Sequence, residues 1–203
     1  MFAPMLLLLA AVPAIAGLYE ARQMEVGAAL ELQKNGHFRY KLDYGAVSEE
    51  AQGQWVVEGG TLFLTTWPRP HLPSLELVRD DLAPVGEVGI ELEPPGFGQE
   101  GYRIEAIATN AATGERGLVM ADQHGQVDSG GHELSSIDPL VPVYETIAGH
   151  FALAAARGHH LVLRFHANDL GKAAFNREPL ALTARSLILK RYVTEIRFTR
   201  VRP

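Results

Sequence analysis

Residues 37–44 read His-Phe-Arg-Tyr-Lys-Leu-Asp-Tyr, so Phe38, Tyr40, Leu42 and Tyr44 alternate without a fault with His37, Arg39, Lys41 and Asp43. Successive side chains on a strand point to opposite faces. Strict period two over eight residues therefore predicts a half-buried strand with one aromatic and one charged face. A helix would scatter the same apolar residues around its circumference and bury none of them well. Upstream, Leu30 and Leu32 alternate with Glu31 and Gln33, and Lys34-Asn35-Gly36 separates the two runs. Asn-Gly supplies the positive φ angles of a tight hairpin, so these strands are predicted to pair. Trp55-Val56-Val57, Gly59-Gly60 and Thr61–Thr65 predict a second hairpin. Gly45 to Gln52, which holds Ser48, Glu49 and Glu50, reads as a looser connection, and Glu49-Glu50 as a solvated turn.

Trp67-Pro68-Arg69-Pro70-His71-Leu72-Pro73 then brings three prolines into six residues. Proline cannot donate to a strand ladder, so residues 68–73 are predicted to be a linker between a β-meander at 17–67 and a second β-rich domain at 74–203. Strand patterns resume at Val88-Gly89-Ile90-Glu91-Leu92, at Tyr102 to Thr109 and at His160 to His166, with glycine- and asparagine-rich turns between them. Residues 144–157 have a helical alternative, because Ala148, Phe151, Ala152, Ala155 and Ala156 favour a helix.

The chain opens on an apolar run that ends in Ala14-Ile15-Ala16, the small-x-small pattern of a leader cleavage site. Residues 1–16 are expected to be a signal peptide, and the protein to be periplasmic or secreted. No later stretch approaches the roughly 20 apolar residues of a membrane-spanning helix. With no cysteine, a disulfide framework, a cysteine-borne lipid and thiolate chemistry are not expected. The net charge of −6 argues against a nucleic-acid partner, which would call for a basic domain. Basic residues do crowd the C-terminus, at Arg185, Lys190, Arg191, Arg197, Arg200 and Arg202, and read as one solvated strand face or edge.

The skeleton Gly17-Leu18-Tyr19, Leu30-Glu31-Leu32, Gly36-His37-Phe38, Gly53-Gln54-Trp55 and Leu62-Phe63-Leu64 resembles the small lipocalin-like β-barrel domains of bacterial envelope proteins, of the type at the N-terminus of the copper-resistance lipoproteins. The resemblance covers about the first 50 residues after the leader. It implies a lipocalin-like meander or small barrel and an envelope location. The family's lipid-bearing cysteine and its Cys-x-x-Cys pair have no counterpart here, so no functional residue carries over. The expected fold class is all-β: that meander or barrel, then a second β-sandwich or barrel unit, with at most one or two short helices.

Motifs for catalysis are absent. Asp128-Ser129-Gly130-Gly131-His132 holds the residue types of a triad, but a triad is assembled from distant positions, and no Gly-x-Ser-x-Gly elbow occurs. The aromatic set Tyr19, Phe38, Tyr40, Tyr44, Trp55, Phe63 and Trp67 either fills a barrel or lines a ligand cavity, with Tyr40 and Trp55 the candidates for ligand contact. Asn168-Asp169-Leu170-Gly171-Lys172 reads as a turn or as a polar recognition loop, which makes Asn168, Asp169 and Lys172 further candidates. His132, His160 and His166 are the candidates for a metal, although no ligand spacing is present and no cofactor is expected. The expected function is a non-catalytic binding or structural β module of the envelope, with a protein or a small hydrophobic ligand as partner. The alternatives are a metal-binding protein and an exported hydrolase.

Overall fold

The computed structural model describes residues 15–93, 104–141, 144, 146–183, 185–192 and 194–201. The expected leader, apart from its last two residues, lies outside the described residues, as does Arg202. The described residues are all β and contain no helix. Five strands come first: β1 (Gly17–Gln23), β2 (Val26–Leu32), β3 (His37–Tyr44), β4 (Val47–Glu58) and β5 (Thr61–Thr66). Then follow β6 (Ser74–Ala83), β7 (Val88–Glu93), β8 (Glu105–Asn110), β9 (Arg116–Met120), β10 (Leu134–Val141), β11 (Thr146–Ile147), β12 (Phe151–Ala152) and β13 (Gly158–His166). The chain ends on β14 (Glu178–Leu182), β15 (Ser186–Arg191) and β16 (Thr194–Arg200).

The fold divides into two compact units, residues 1–70 with 171–203, and residues 71–170. This corrects the expectation that 74–203 is a second domain. A meander of five strands leaves two open edges, and β14, β15 and β16 close them into an eight-stranded antiparallel barrel in the order β1-β16-β15-β14-β5-β4-β3-β2. Strand patterns in a sequence reveal which segments pair but not with whom, so this return was not visible in the alternation alone. The connection read at 45–52 is also corrected: β4 begins at Val47 and is paired with β3 from Val47 to Gln54. The hairpin at Gly59-Gly60 has φ of +56° and +82°, the mirror-type turn that follows the strand twist.

The barrel is filled by its own side chains. Leu30, Leu62, Leu64, Leu180, Leu189, Ile196 and Phe198 are fully buried, and Phe38, Tyr40, Leu42 and Trp55 nearly so. Charged residues such as Arg39 and Lys41 take the outward row of β3. Apolar inside and polar outside is the reverse of a barrel made to face lipid. Two local devices complete the wall. The segment Gly171–Phe175 runs beside β4 where β5 has ended: Glu50 N donates to Gly171 O at 2.8 Å, and Ala173 N donates back to Glu50 O at 2.8 Å. At the β1–β16 seam two residue pairs are in register among the described residues, and there the Gln23 side chain stands in for a strand backbone. Its amide donates to Glu195 O at 2.9 Å, and its carbonyl accepts from Arg197 N at 2.7 Å.

In the unit of residues 71–170, β13 lies between β6 and β7, antiparallel to the first and parallel to the second. A second sheet runs β11-β10-β8-β9, with β12 also on β10. Val88, Ile90, Leu161 and Leu163 from the first sheet share one core with Ala106, Ala108, Ile137 and Phe151 from the second, as in a sandwich. The helical alternative at 144–157 is overturned. Phe151 and Ala152 pair with β10, and burying Phe151 in that core outweighs the helix propensity of the alanines.

Candidate functional site

The interior row of β4 holds a carboxylate. Glu49 follows Val47 and precedes Ala51 on the inward face, and its side chain is only 2% exposed. Tyr40 Oη and Tyr192 Oη each donate to it at 2.9 Å, Arg191 Nη2 donates to Oε2 at 2.6 Å, and Arg191 Nε donates to Oε1. Tyr192 reaches back because it turns β15 into β16 at φ +48°, in the left-handed region that a bulky residue enters only under tertiary constraint. Arg191 lies over the rings of Phe175 and Tyr192, at 5.2 and 4.9 Å from their centroids. Burial, reinforced by the charge of Glu49, pushes both phenols well above their usual range. Burial alone would lower the Arg191 pKa, but the hydrogen bond and charge of Glu49 more than offset it and leave it raised. Four donors occupy a carboxylate's four lone-pair sites, which leaves none for a metal or for a proton in transit. The cluster is a brace. The sequence reading missed it by taking Glu49 as solvated, although Val47, Glu49, Ala51 and Trp55 already shared one parity.

Tyr40 and Trp55 are buried in the barrel core. Trp55 Nε1 donates to Gln33 O at 3.0 Å, and Trp55 N donates to Gly36 O at 2.8 Å, pinning the β2–β3 turn. Asn168 and Asp169 tie together the two ends of their unit: Asn168 Nδ2 donates to Leu72 O at 2.8 Å, and the Asp169 carboxylate accepts from His71 N at 2.8 Å. Lys172 pairs with Glu50, whose pKa is lowered by that hydrogen bond and charge. Asn168 and Asp169 belong to the unit of residues 71–170, and Tyr40, Trp55 and Lys172 to the other.

The histidines are dispersed as well. His160 pairs with Glu91 at 3.0 Å and His166 with Glu76 at 2.8 Å, while His132 sits exposed in the loop before β10. No group of three or more His, Asp or Glu able to hold a metal ion occurs among the described residues. The most enclosed histidine, His159, has both ring nitrogens engaged. Nδ1 meets the Asp80 carboxylate at 2.9 Å, and Nε2 lies 2.9 Å from Ala154 N and 3.1 Å from Ala154 O. Asp80 also binds Arg157, and Asp138 holds Arg116 and His150 in the same manner.

An open cleft lies on the outer face of β3, β4 and the end of β5. The register aligns Arg39 with Gln52 and His37 with Gln54, and Trp67 N donates to Gln52 O at 2.9 Å. These side chains and that of Gln33 line about 330 Å³. Trp67 is 71% exposed, whereas the other tryptophan, Trp55, is in the core. Gly53 allows the approach of the two strands: a Cβ there would stand 2.0 Å from Thr65 O and 2.8 Å from Trp67 N. The residue before the indole is tied twice to the returning segment. Thr66 Oγ1 donates to Ala173 O at 2.8 Å and accepts from Phe175 N at 3.0 Å. Sequence reasoning placed Trp67 among the barrel aromatics. Its parity, opposite to Leu62, Leu64 and Thr66, was the sign that it faces out.

No family model, curated protein or solved structure matches the chain. No helix among the described residues is long and apolar enough to cross a membrane.

Proposed function

We propose that this is a non-catalytic binding module of the bacterial cell envelope, one that recognises its target on the outside of a filled barrel. The observation that carries the reading is Trp67, 71% exposed on a backbone tied to β4 and to the returning segment, beside a polar cleft. Indoles are usually buried for most of their area, and a rigidly held exposed one offers a contact surface with little ordering cost. The location rests on the leader-like run ending at Ala16 and on the lipocalin-like resemblance, with which an eight-stranded antiparallel barrel is consistent. Lipocalin-like barrels commonly hold ligands inside, and the packed interior here moves recognition to the surface.

Co-sedimentation of the purified chain with an isolated bacterial envelope fraction tests the reading. Wild type is expected in the pellet, and Trp67→Ala, which should fold normally because the side chain is exposed, in the supernatant. Equal partitioning of the two proteins rejects it.

A further inference from the structure

We infer that the Trp67 cleft binds a carbohydrate chain, with one pyranose ring stacked on the indole. This rests on the binding-module reading above and adds the ligand class. The argument begins with what the cleft offers. A sugar ring has an apolar face of axial C–H groups and an equator of hydroxyls, each hydroxyl both donor and acceptor. An exposed indole on a fixed backbone suits the first. The second needs groups that both donate and accept, and a primary amide supplies one of each. Gln33, Gln52 and Gln54 bring three amides to the cleft that Trp67 lines, together with His37 and Arg39. The register sets Arg39 beside Gln52 and His37 beside Gln54 on neighbouring strands, so these polar residues line the same cleft as the indole. A volume of about 330 Å³ falls at the small end of ligand sites, which run from roughly 300 to 1,000 Å³.

Other ligand classes fit less well. A hydrophobic molecule would cover the three amides without satisfying them, at a cost for each group left unpaired. Single-stranded nucleic acid also stacks on aromatic side chains, but it calls for a basic groove along its backbone. Here Arg39 is the one Arg or Lys lining the cleft among the described residues, it lies 3.9 Å from Glu31, and the chain carries a net charge of −6. No carboxylate lines the cleft among the described residues, so a neutral or a uronic saccharide is accommodated equally.

The chain has two tryptophans, and only Trp67 is exposed, so intrinsic fluorescence reports on the site. The probes are chitotetraose, cellotetraose, maltotetraose and tetragalacturonate, titrated into the full chain with calorimetry in parallel. At least one is expected to bind saturably with a blue shift of the emission. Trp67→Ala is expected to weaken that binding by at least about tenfold, or about 1.4 kcal/mol. Trp67→Phe should retain most of it, and Gln52→Ala should lower it several-fold. No saturable response to any of the four up to about 10 mM, or binding undiminished in Trp67→Ala, overturns the inference. Retention on the envelope fraction that depends on Trp67, with no response to any tetrasaccharide, rejects the carbohydrate and keeps the binding module. Loss of both rejects the two together.

Discussion

Glu49 illustrates how a single charge is made tolerable inside a hydrophobic barrel. A carboxylate taken out of water incurs a penalty of several kcal/mol, and only a full set of donors offsets it. Arg191, Tyr40 and Tyr192 form that set, with Arg191 also held between aromatic faces. Replacing Arg191 with Met is expected to destabilise the protein by about 3–5 kcal/mol, because Glu49 is left buried without its counter-charge. The double variant Glu49→Gln, Arg191→Met should recover part of the loss. Denaturant midpoints of the three proteins check this, and a single variant as stable as wild type would show that the pair contributes nothing. The two phenols add a dependence on pH. Their pKa values are raised in the folded state, first by burial and then by Glu49, so the neutral form is the one the fold accepts. Their contribution is therefore complete below the unfolded-state pKa of about 10 and is lost as pH rises beyond it, because the unfolded chain releases protons that the folded chain retains. The midpoint is expected to fall steeply above about pH 10, and less steeply in Tyr40→Phe and Tyr192→Phe. Equal alkaline slopes in all three would contradict the assignment.

At the scale of elements, the segment Gly171–Phe175 is neither strand nor free loop, yet it completes the wall between β4 and β14. It enters through the bridge to Glu50, places Ala173 and Phe175 in the core, and is fastened by one hydroxyl, Thr66 Oγ1. Thr66→Val keeps the shape and removes both side-chain hydrogen bonds, leaving Phe175 N without its partner. The expected cost is about 1–3 kcal/mol, with loss of hydrogen-exchange protection at the Phe175 amide. Unchanged protection there would mean that packing of Phe175 against Phe38 and Tyr40 suffices. What was legible in the sequence follows the same division. β3, β13 and the hairpins at Asn35-Gly36 and Gly59-Gly60 were readable because alternation and turn chemistry are local. Lys172 and Asn168 were readable as residues of interest, but their partners lie about a hundred positions away, at Glu50 and Leu72, and no local pattern encodes such pairings. The Trp67 cleft was hidden for a different reason. Residues from β3, β4 and the end of β5 meet only once the meander has paired, and each taken alone is an ordinary surface side chain.

For the molecule as a whole, the order of strands implies that residues 71–170 are an insertion into a barrel whose neighbours are otherwise consecutive. β5 leads to β14 in the wall, and the hundred residues between them form their own two-sheet core. The entry and exit of that unit are tied to each other: Asp169 N donates to His71 O at 3.0 Å, and the Asp169 carboxylate accepts from His71 N. Pro70 and Gly171 are the residues flanking that clasp, one position before His71 and two beyond Asp169, so a short flexible connection can bridge them. Loop closure grows only slowly in cost with length, so the barrel does not need the insertion to bring its halves together. Replacing residues 71–170 with a short Gly-Ser linker is therefore expected to leave a cooperatively folding barrel. Its near-ultraviolet circular dichroism from Trp55 should be retained, as should the Trp67 cleft, all of whose lining comes from residues outside the insertion. A shortened chain that unfolds without cooperativity would show that β14, β15 and β16 depend on the inserted unit to find the meander. In that case closure of the barrel is a property of the full chain, even though every strand pairing in its wall lies within residues 17–66 and 171–200.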